Sequence, residues 1–348
     1  MPRLISQLFS SDIFIQIGSH HFQIPRDIFS SPGNSPNFFS LGFADFFASP
    51  YEIFPGLDRT GLLRPPAIQP PKVANRSGEV FADLLHLLRG YPLEIRGVEH
   101  REALLRDCRY YHLRGLEQQL IPHETSPKPS YGRSEIVLRI EDVRESDVQA
   151  AYVDHDPTLG ANQFRTVPSY TRPFVDEEAQ NLIVELGPDT TTLDPATSPP
   201  GLLITGGARY KLEMLLQQLV KQTCELTGRP NTAYREIVNK LFPFVGVVTV
   251  VIDVGTDLVV DGVEIPDPAA YMDRVQDEHA LEPPAKRRHL AAEDKAKAEW
   301  ILWYVRRGQW QATIDVMGSE VQVRLGAVKL DICTGAREWN RRRGFLST

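Results

Sequence analysis

The sequence predicts an α+β protein: a β-hairpin and a helical cluster in the first third, then an α+β region ending in an antiparallel β-meander. Three observations predict it. Short β-branched runs near the N-terminus meet at Gly18, helical spacing of apolar residues dominates 75–121, and strand alternation returns over 300–332 with Gly308, Gly318 and Gly326 between the runs. With 348 residues, 42 % of them hydrophobic and 24 % charged, the composition is that of a globular chain of two or three domains. The 27 prolines and 24 glycines punctuate those domains and do not make the chain low-complexity.

Residues 12–18, Asp-Ile-Phe-Ile-Gln-Ile-Gly, read as a strand, and 21–24 as its return, so the chain opens on a hairpin. Pro25 begins a helical start over 25–29, where its missing N–H costs nothing. Residues 30–72 are rich in Pro, Phe and Gly, with Phe38, Phe39, Phe43, Phe46 and Phe47 as candidates for core or short helix. A clearer helix follows. Asn75, Ser77 and Glu79 lie where a cap belongs, Val80, Phe81, Leu84, Leu85, Leu87 and Leu88 recur at helical spacing, and Gly90 is placed to stop it. Residues 92–95 suggest a short strand, 101–113 a second helix with Leu104, Leu105, Cys108 and Tyr111 on one face, and 115–121 a third.

Three ordered blocks carry a family resemblance. Phe14-Ile15-Gln16-Ile17-Gly18 with Phe22-Gln23-Ile24-Pro25-Arg26 resembles the first hairpin of the BTB/POZ fold, of the potassium-channel-tetramerisation type. Residues 75–91, N-R-S-G-E-V-F-A-D-L-L-H-L-L-R-G-Y, resemble that family's central helix, and 104–120 its last helical pair. Two departures stand out: Asn75-Arg76-Ser77 replaces the usual Asp-Arg-Asp, and 43–73 is longer and richer in proline than the usual connection. The resemblance implies a BTB/POZ domain over 1–125 that self-associates into a homo-oligomer and binds protein partners, in many members a cullin ubiquitin-ligase scaffold. Cullin binders often carry a hydrophobic-x-Glu element after the central helix, and Tyr91, Leu93 and Glu94 stand in that region. The alternative keeps Leu93 in a core strand and leaves Glu94 a solvated edge charge.

Residues 126–134, with Pro127 and Pro129, read as a linker, and 135–348 as the C-terminal α+β region. Strand-like pieces appear at 135–140, 171–175, 181–187, 245–252 and 258–263, with a Thr/Pro/Asp-rich loop over 187–201. Over 208–226, Leu212, Leu215, Leu216, Leu219, Val220 and Thr223 fall on one side of a core-facing helix. Residues 266–297 form a polar insertion holding Lys286, Arg287 and Arg288, a candidate nuclear-import signal or an ordinary surface helix. Arg341, Arg342 and Arg343 make a basic tail suited to phosphate, an anionic surface or an acidic partner, or to complementing a helix end. Together with 133–140 and 172–187, the Asn-Arg-Arg-Arg-Gly-Phe-Leu ending resembles, more loosely, fungal BTB growth-regulation and stress-response proteins. That implies a scaffold for a phosphatase partner.

Catalytic chemistry finds no constellation. The sequence holds no Gly-x-Ser-x-Gly elbow and no phosphate-binding Gly-x-x-x-x-Gly-Lys-Ser/Thr. Asp253, Asp257, Asp261 and Glu264 fail as a calcium loop because Gly255 takes a ligand position and Leu258 the turn position. The nine histidines show no metal-ligand spacing, and Asp154-His155-Asp156 reads as a surface turn before Pro157. No catalytic, cofactor or metal residue is expected, and no small-molecule substrate. A net charge of −7 argues against nucleic-acid binding and for protein partners. Cys108, Cys224 and Cys333 are too sparse for a disulfide framework, and no apolar run reaches the about 20 residues of a membrane span. The expectation is a non-enzymatic adaptor or scaffold, cytoplasmic with nuclear entry open. The alternative is a nuclear transcriptional or chromatin regulator that oligomerises through the same domain.

Overall fold

The computed structural model describes residues 12–40, 72–130, 132–153, 163–187, 191–228, 234–242, 247–280, 303–317 and 320–335. The chain divides into two compact units: Met1–Ile121 with Arg172–Asp176, and Pro122–Thr171 with Glu177–Thr348. Among the described residues no helix is long and apolar enough to cross a membrane.

In the first unit β1 (Asp12–Ile17) lies between antiparallel β2 (His20–Pro25) and parallel β3 (Lys72–Val73). Alternation sends Ile13, Ile15 and Ile17 into the core and leaves Phe14 exposed. The helical start becomes one 3₁₀ turn, Arg26–Phe29. Helices α1 (Gly78–Leu88), α2 (Val98–Tyr111) and α3 (Arg114–Leu120) complete the unit. The Ser77 hydroxyl accepts the Val80 N–H and caps α1, whose Phe81, Leu84 and Leu85 are buried. Phe81 meets Tyr111 of α2 with ring centroids 4.9 Å apart, Phe39 stacks on Tyr111 at 5.5 Å, and Phe29 stacks on Phe39 at 4.9 Å. This aromatic layer joins hairpin, loop and helices. The strand expected at 92–95 does not form: the segment has no partner in the three-stranded sheet, and Pro92 lacks a donor for one.

Residues 171–175 are a turn, not a strand. Arg172 and Asp176 pair bidentately at 2.9 and 2.6 Å, Val175 and Asp176 N–H groups both reach the Arg172 carbonyl, and Phe174 between them has φ +67°. The i,i+4 pair closes the chain on itself before any ladder can form.

Among the described residues the second unit is built on a twelve-stranded sheet. It begins with β4 (His123–Ser130) and β5 (Arg133–Arg139), which pair antiparallel, so 126–130 and 133–134 are strand where a linker was expected. Its prolines fit because β4 is the last strand of the path and the ladder is irregular between Ser126 and Ser130. Then come β6 (Val148–Tyr152), β7 (Gln163–Tyr170), β8 (Gln180–Leu186), β9 (Thr191–Asp194) and β10 (Gly201–Ile204). Strand β9 lies in the expected loop 187–201, because Thr191 and Leu193 alternate inward and pair across to β10. Helix α4 (Gly206–Leu226) buries the predicted side, Leu212, Leu215, Leu216, Leu219, Val220 and Thr223.

Helix α5 (Tyr234–Leu241), β11 (Val247–Thr249), β12 (Asp257–Val260), β13 (Val263–Ile265) and α6 (Pro268–Ala280) follow. The single strand expected at 258–263 is broken by Asp261 and Gly262, at φ +51° and +86°, with Val260 opposite Val263. That is a two-residue hairpin of the Asp-Gly kind. Helix α6 occupies the start of the polar insertion; 281–297 lie outside the described residues.

The antiparallel ending stands, as two long strands where the spacing predicts four short ones: β14 (Trp303–Met317) and β15 (Glu320–Cys333), paired along nearly their whole length. Gly308 and Gly326 are not turns. A Cβ on Gly308 would lie 2.6 Å from the buried Trp310 Nε1, so this glycine makes room for the indole inside a continuous strand.

Candidate functional site

Among the described residues of the first unit, a conspicuous surface is the loop 91–97 between α1 and α2 with Val98, the first residue of α2; the stretch is called the loop 91–98 below. Tyr91 is 56 % and Val98 67 % exposed, Leu93 and Ile95 are half-buried, and Glu94 is exposed. An exposed apolar loop of this kind suits a protein partner. Both of its ends are held.

At the start, α1 stops in a Schellman motif. The Tyr91 N–H reaches the His86 carbonyl (3.2 Å), the Gly90 N–H reaches Leu87 O (2.9 Å), and Gly90 carries the φ of +81° that the motif needs. Tyr91 is thereby laid on the His86 ring, with centroids 5.0 Å apart, and the His86 Nε2 lies 3.2 Å from the Pro92 carbonyl.

At the far end Asp83 of α1 takes two partners on one oxygen. The Arg96 guanidinium donates to Oδ2 at 3.0 Å and His100 Nε2 at 2.9 Å, while the Arg96 backbone N–H donates to His100 Nδ1 at 3.2 Å. Since Nδ1 accepts, the proton is on Nε2 and points at the carboxylate. The loop is thus fixed by hydrogen bonds while Tyr91 and Val98 stay exposed and Leu93 and Ile95 half-buried.

Of the predicted contact residues, the structure brings Tyr91, Leu93 and Glu94 together on this loop. Leu93 is half-buried in an irregular segment, outside any strand. Lys286, Arg287, Arg288, Arg341, Arg342 and Arg343 lie outside the described residues. Sequence reasoning passed over Asp83, His86, Arg96 and His100, the residues that hold the loop. The capping glycine was visible, but the Asp83 and His100 pairing joins two helices and leaves no local mark. Among the described residues no group of three or more His, Cys, Asp or Glu side chains gathers as metal ligands do.

Two yeast proteins are similar to this chain. An uncharacterized Saccharomyces cerevisiae protein, YDR132C, is 29 % identical over 252 residues, covering 62 % of this chain and 50 % of the relative. The BTB/POZ domain-containing protein YLR108C, from the same yeast, is 30 % identical over 149 residues, covering 42 % of this chain and 30 % of the relative. The chain therefore spans half the length, or less, of these curated relatives. No family model matches it, and no solved structure does. The relation reaches a BTB/POZ domain-containing protein and no finer subtype.

Proposed function

We propose that this chain, related to a BTB/POZ domain-containing protein, is a non-enzymatic scaffold that self-associates through its N-terminal unit and recruits a second protein through its C-terminal region. The potassium-channel-tetramerisation type of assembly is part of this reading. What supports protein binding by the N-terminal unit most directly is the segment 91–98, whose exposed Tyr91 and Val98 are held by the α1 cap and the Asp83–Arg96–His100 clamp. A pre-ordered loop saves the entropy a partner would otherwise spend on ordering it.

Light scattering on the full chain at about 10 μM, well above a micromolar dissociation constant, should give a mass above one chain; a monomer would overturn self-association. A cullin would be captured separately, by the N-terminal unit, with Tyr91, Leu93 and Glu94 making the contact. Tyr91→Ala and Leu93→Ala should each weaken capture about tenfold, the ~1.4 kcal/mol of a moderate hot spot. Loss of cullin capture with a phosphatase retained moves the assignment to a growth- or stress-regulating phosphatase scaffold.

The cell compartment follows from the same reading: cytoplasmic, with nuclear entry through Lys286, Arg287 and Arg288. A fluorescent fusion that stays out of the nucleus with these residues intact counts against the alternative of a transcriptional or chromatin regulator.

A further inference from the structure

Helix α2 carries a charge arrangement that the loop 91–98 does not use. Asp107 is wholly buried, and two arginines converge on one of its oxygens: Arg76 Nη1 at 3.1 Å and Arg106 Nε at 3.6 Å from Oδ1. One carboxylate against two guanidiniums leaves an excess positive charge, on a chain whose net charge is −7. Each guanidinium brings five N–H donors. Among the described residues Arg76 makes one hydrogen bond, to Asp107, and Arg106 has only its long ion pair, with a side chain 64 % exposed. The neighbouring Arg109 does not share this condition, since Glu117 of α3 holds its Nε at 2.8 Å.

The same spot has an apolar floor. The Arg76 guanidinium lies 4.1 Å from the ring centre of Tyr110, which is 36 % exposed, and Tyr110 in turn meets Phe38 at 5.5 Å. A guanidinium stacked on an aromatic face keeps its in-plane donors available for a planar anion, and Tyr and Arg are the side chains that most often carry binding energy at interfaces.

We propose that this face, Arg76 and Arg106 beside Tyr110 and Phe38, docks an acidic peptide segment of a protein partner, a carboxylate meeting the guanidiniums and an adjacent apolar side chain covering the rings. Charge complementarity selects this occupant: a second acid offsets the surplus charge, and the half-exposed rings fit an aliphatic neighbour. The proposal rests on the scaffold reading only in taking the ligand to be a protein.

The test uses the full chain and a fluorescein-labelled peptide of alternating Glu and Leu, with a Gln/Leu peptide as control, read by anisotropy while light scattering on the same samples reports self-association. The Glu/Leu peptide should bind, weaken with added salt, and lose about tenfold in affinity with Arg106→Gln. That variant leaves Asp107 its closer partner Arg76 and should melt with the wild type. Equal binding of both peptides, or unchanged affinity of R106Q, overturns the proposal. So does R106Q dissociating the assembly, which would give the face to a second copy of the chain. A wild type that binds the Glu/Leu peptide as a monomer leaves the docking face standing and removes self-association alone.

Discussion

Phe81 has no exposed surface and touches Phe22, Phe39 and Tyr111 through its ring. Phe81→Asp places an unpaired charge in that aromatic layer, which costs at least the ~3–5 kcal/mol of a broken buried pair. The variant should lose its cooperative melt and its solubility; a wild-type melting curve would show that the helix face is assigned wrongly. At Gly90 the cost is conformational: Gly90→Ala must adopt φ +81°, worth about 1–2 kcal/mol, and should loosen the loop 91–98 before it unfolds the unit. Amide hydrogen exchange at Tyr91 would report this. Titration of the same core has a definite sign. Burial, reinforced by nearby acidic charge, pushes the Cys108 thiol and the Tyr111 phenol well up from their ordinary values. Their full contribution is present below the unfolded values, about 8.5 and 10. As pH rises past these the unfolded chain sheds protons that the folded chain keeps, so stability falls. Denaturation midpoints should therefore drop from about pH 9 upward, and Cys108→Ala should make the earlier part of the decline shallower.

Single elements show how side chains outside a ladder finish it. Among the described residues strand β6 pairs only with β7, and its outer edge is met by α4: Gln222 Oε1 accepts the Ala150 N–H at 2.7 Å, and Gln222 Nε2 reaches Val148 O at 3.4 Å. Gln218 adds a bond from Nε2 to Glu145 O at 2.9 Å. These glutamines stand in for a missing strand and blunt the edge against other chains. Gln222→Leu keeps the helix but strands the Ala150 N–H, while the Val148 carbonyl keeps Gln218 Nε2 at 3.3 Å, so a loss of about 1–3 kcal/mol in chemical denaturation is expected. The long β14–β15 pair depends on a missing side chain instead. Gly308→Val would drive a branched side chain into the Trp310 indole, and a quenched or shifted tryptophan emission with a loss of about 1–3 kcal/mol should follow.

At the scale of the molecule, Cys108, Cys224 and Cys333 are all buried and outside any disulfide, two of them in the second unit. A thiol reagent should leave the native chain unlabelled and react with all three sites only on unfolding; rapid labelling of the native protein would contradict the described cores. The α+β class, the opening hairpin, the three N-terminal helices and the buried faces of α1, α2 and α4 were legible from the order of residues. Each rests on local periodicity and caps: Ile13, Ile15 and Ile17 alternate, Leu212 to Thr223 recur at helical spacing, and Ser77 and Gly90 bracket α1. The Asp261-Gly262 turn was equally local and was passed over because the run from Leu258 to Val263 reads as continuous strand. What stayed hidden was decided by partners distant in sequence. Glycines at 308 and 326 look like turns until a facing strand shows them inside a ladder. Prolines at 127 and 129 look like a linker until β5 supplies a partner. The candidate loop divides the same way: Tyr91, Leu93 and Glu94 could be named because they follow a helix stop, whereas the Asp83 clamp on Arg96 and His100 could not. Sequence by itself determined which segments are helix or strand and which faces are apolar, since periodicity is a property of neighbours. Only the tertiary structure decided strand length, edge protection, the holding of the loop and the two arginines on Asp107, because hydrogen bonds and ion pairs between remote residues leave no spacing to read.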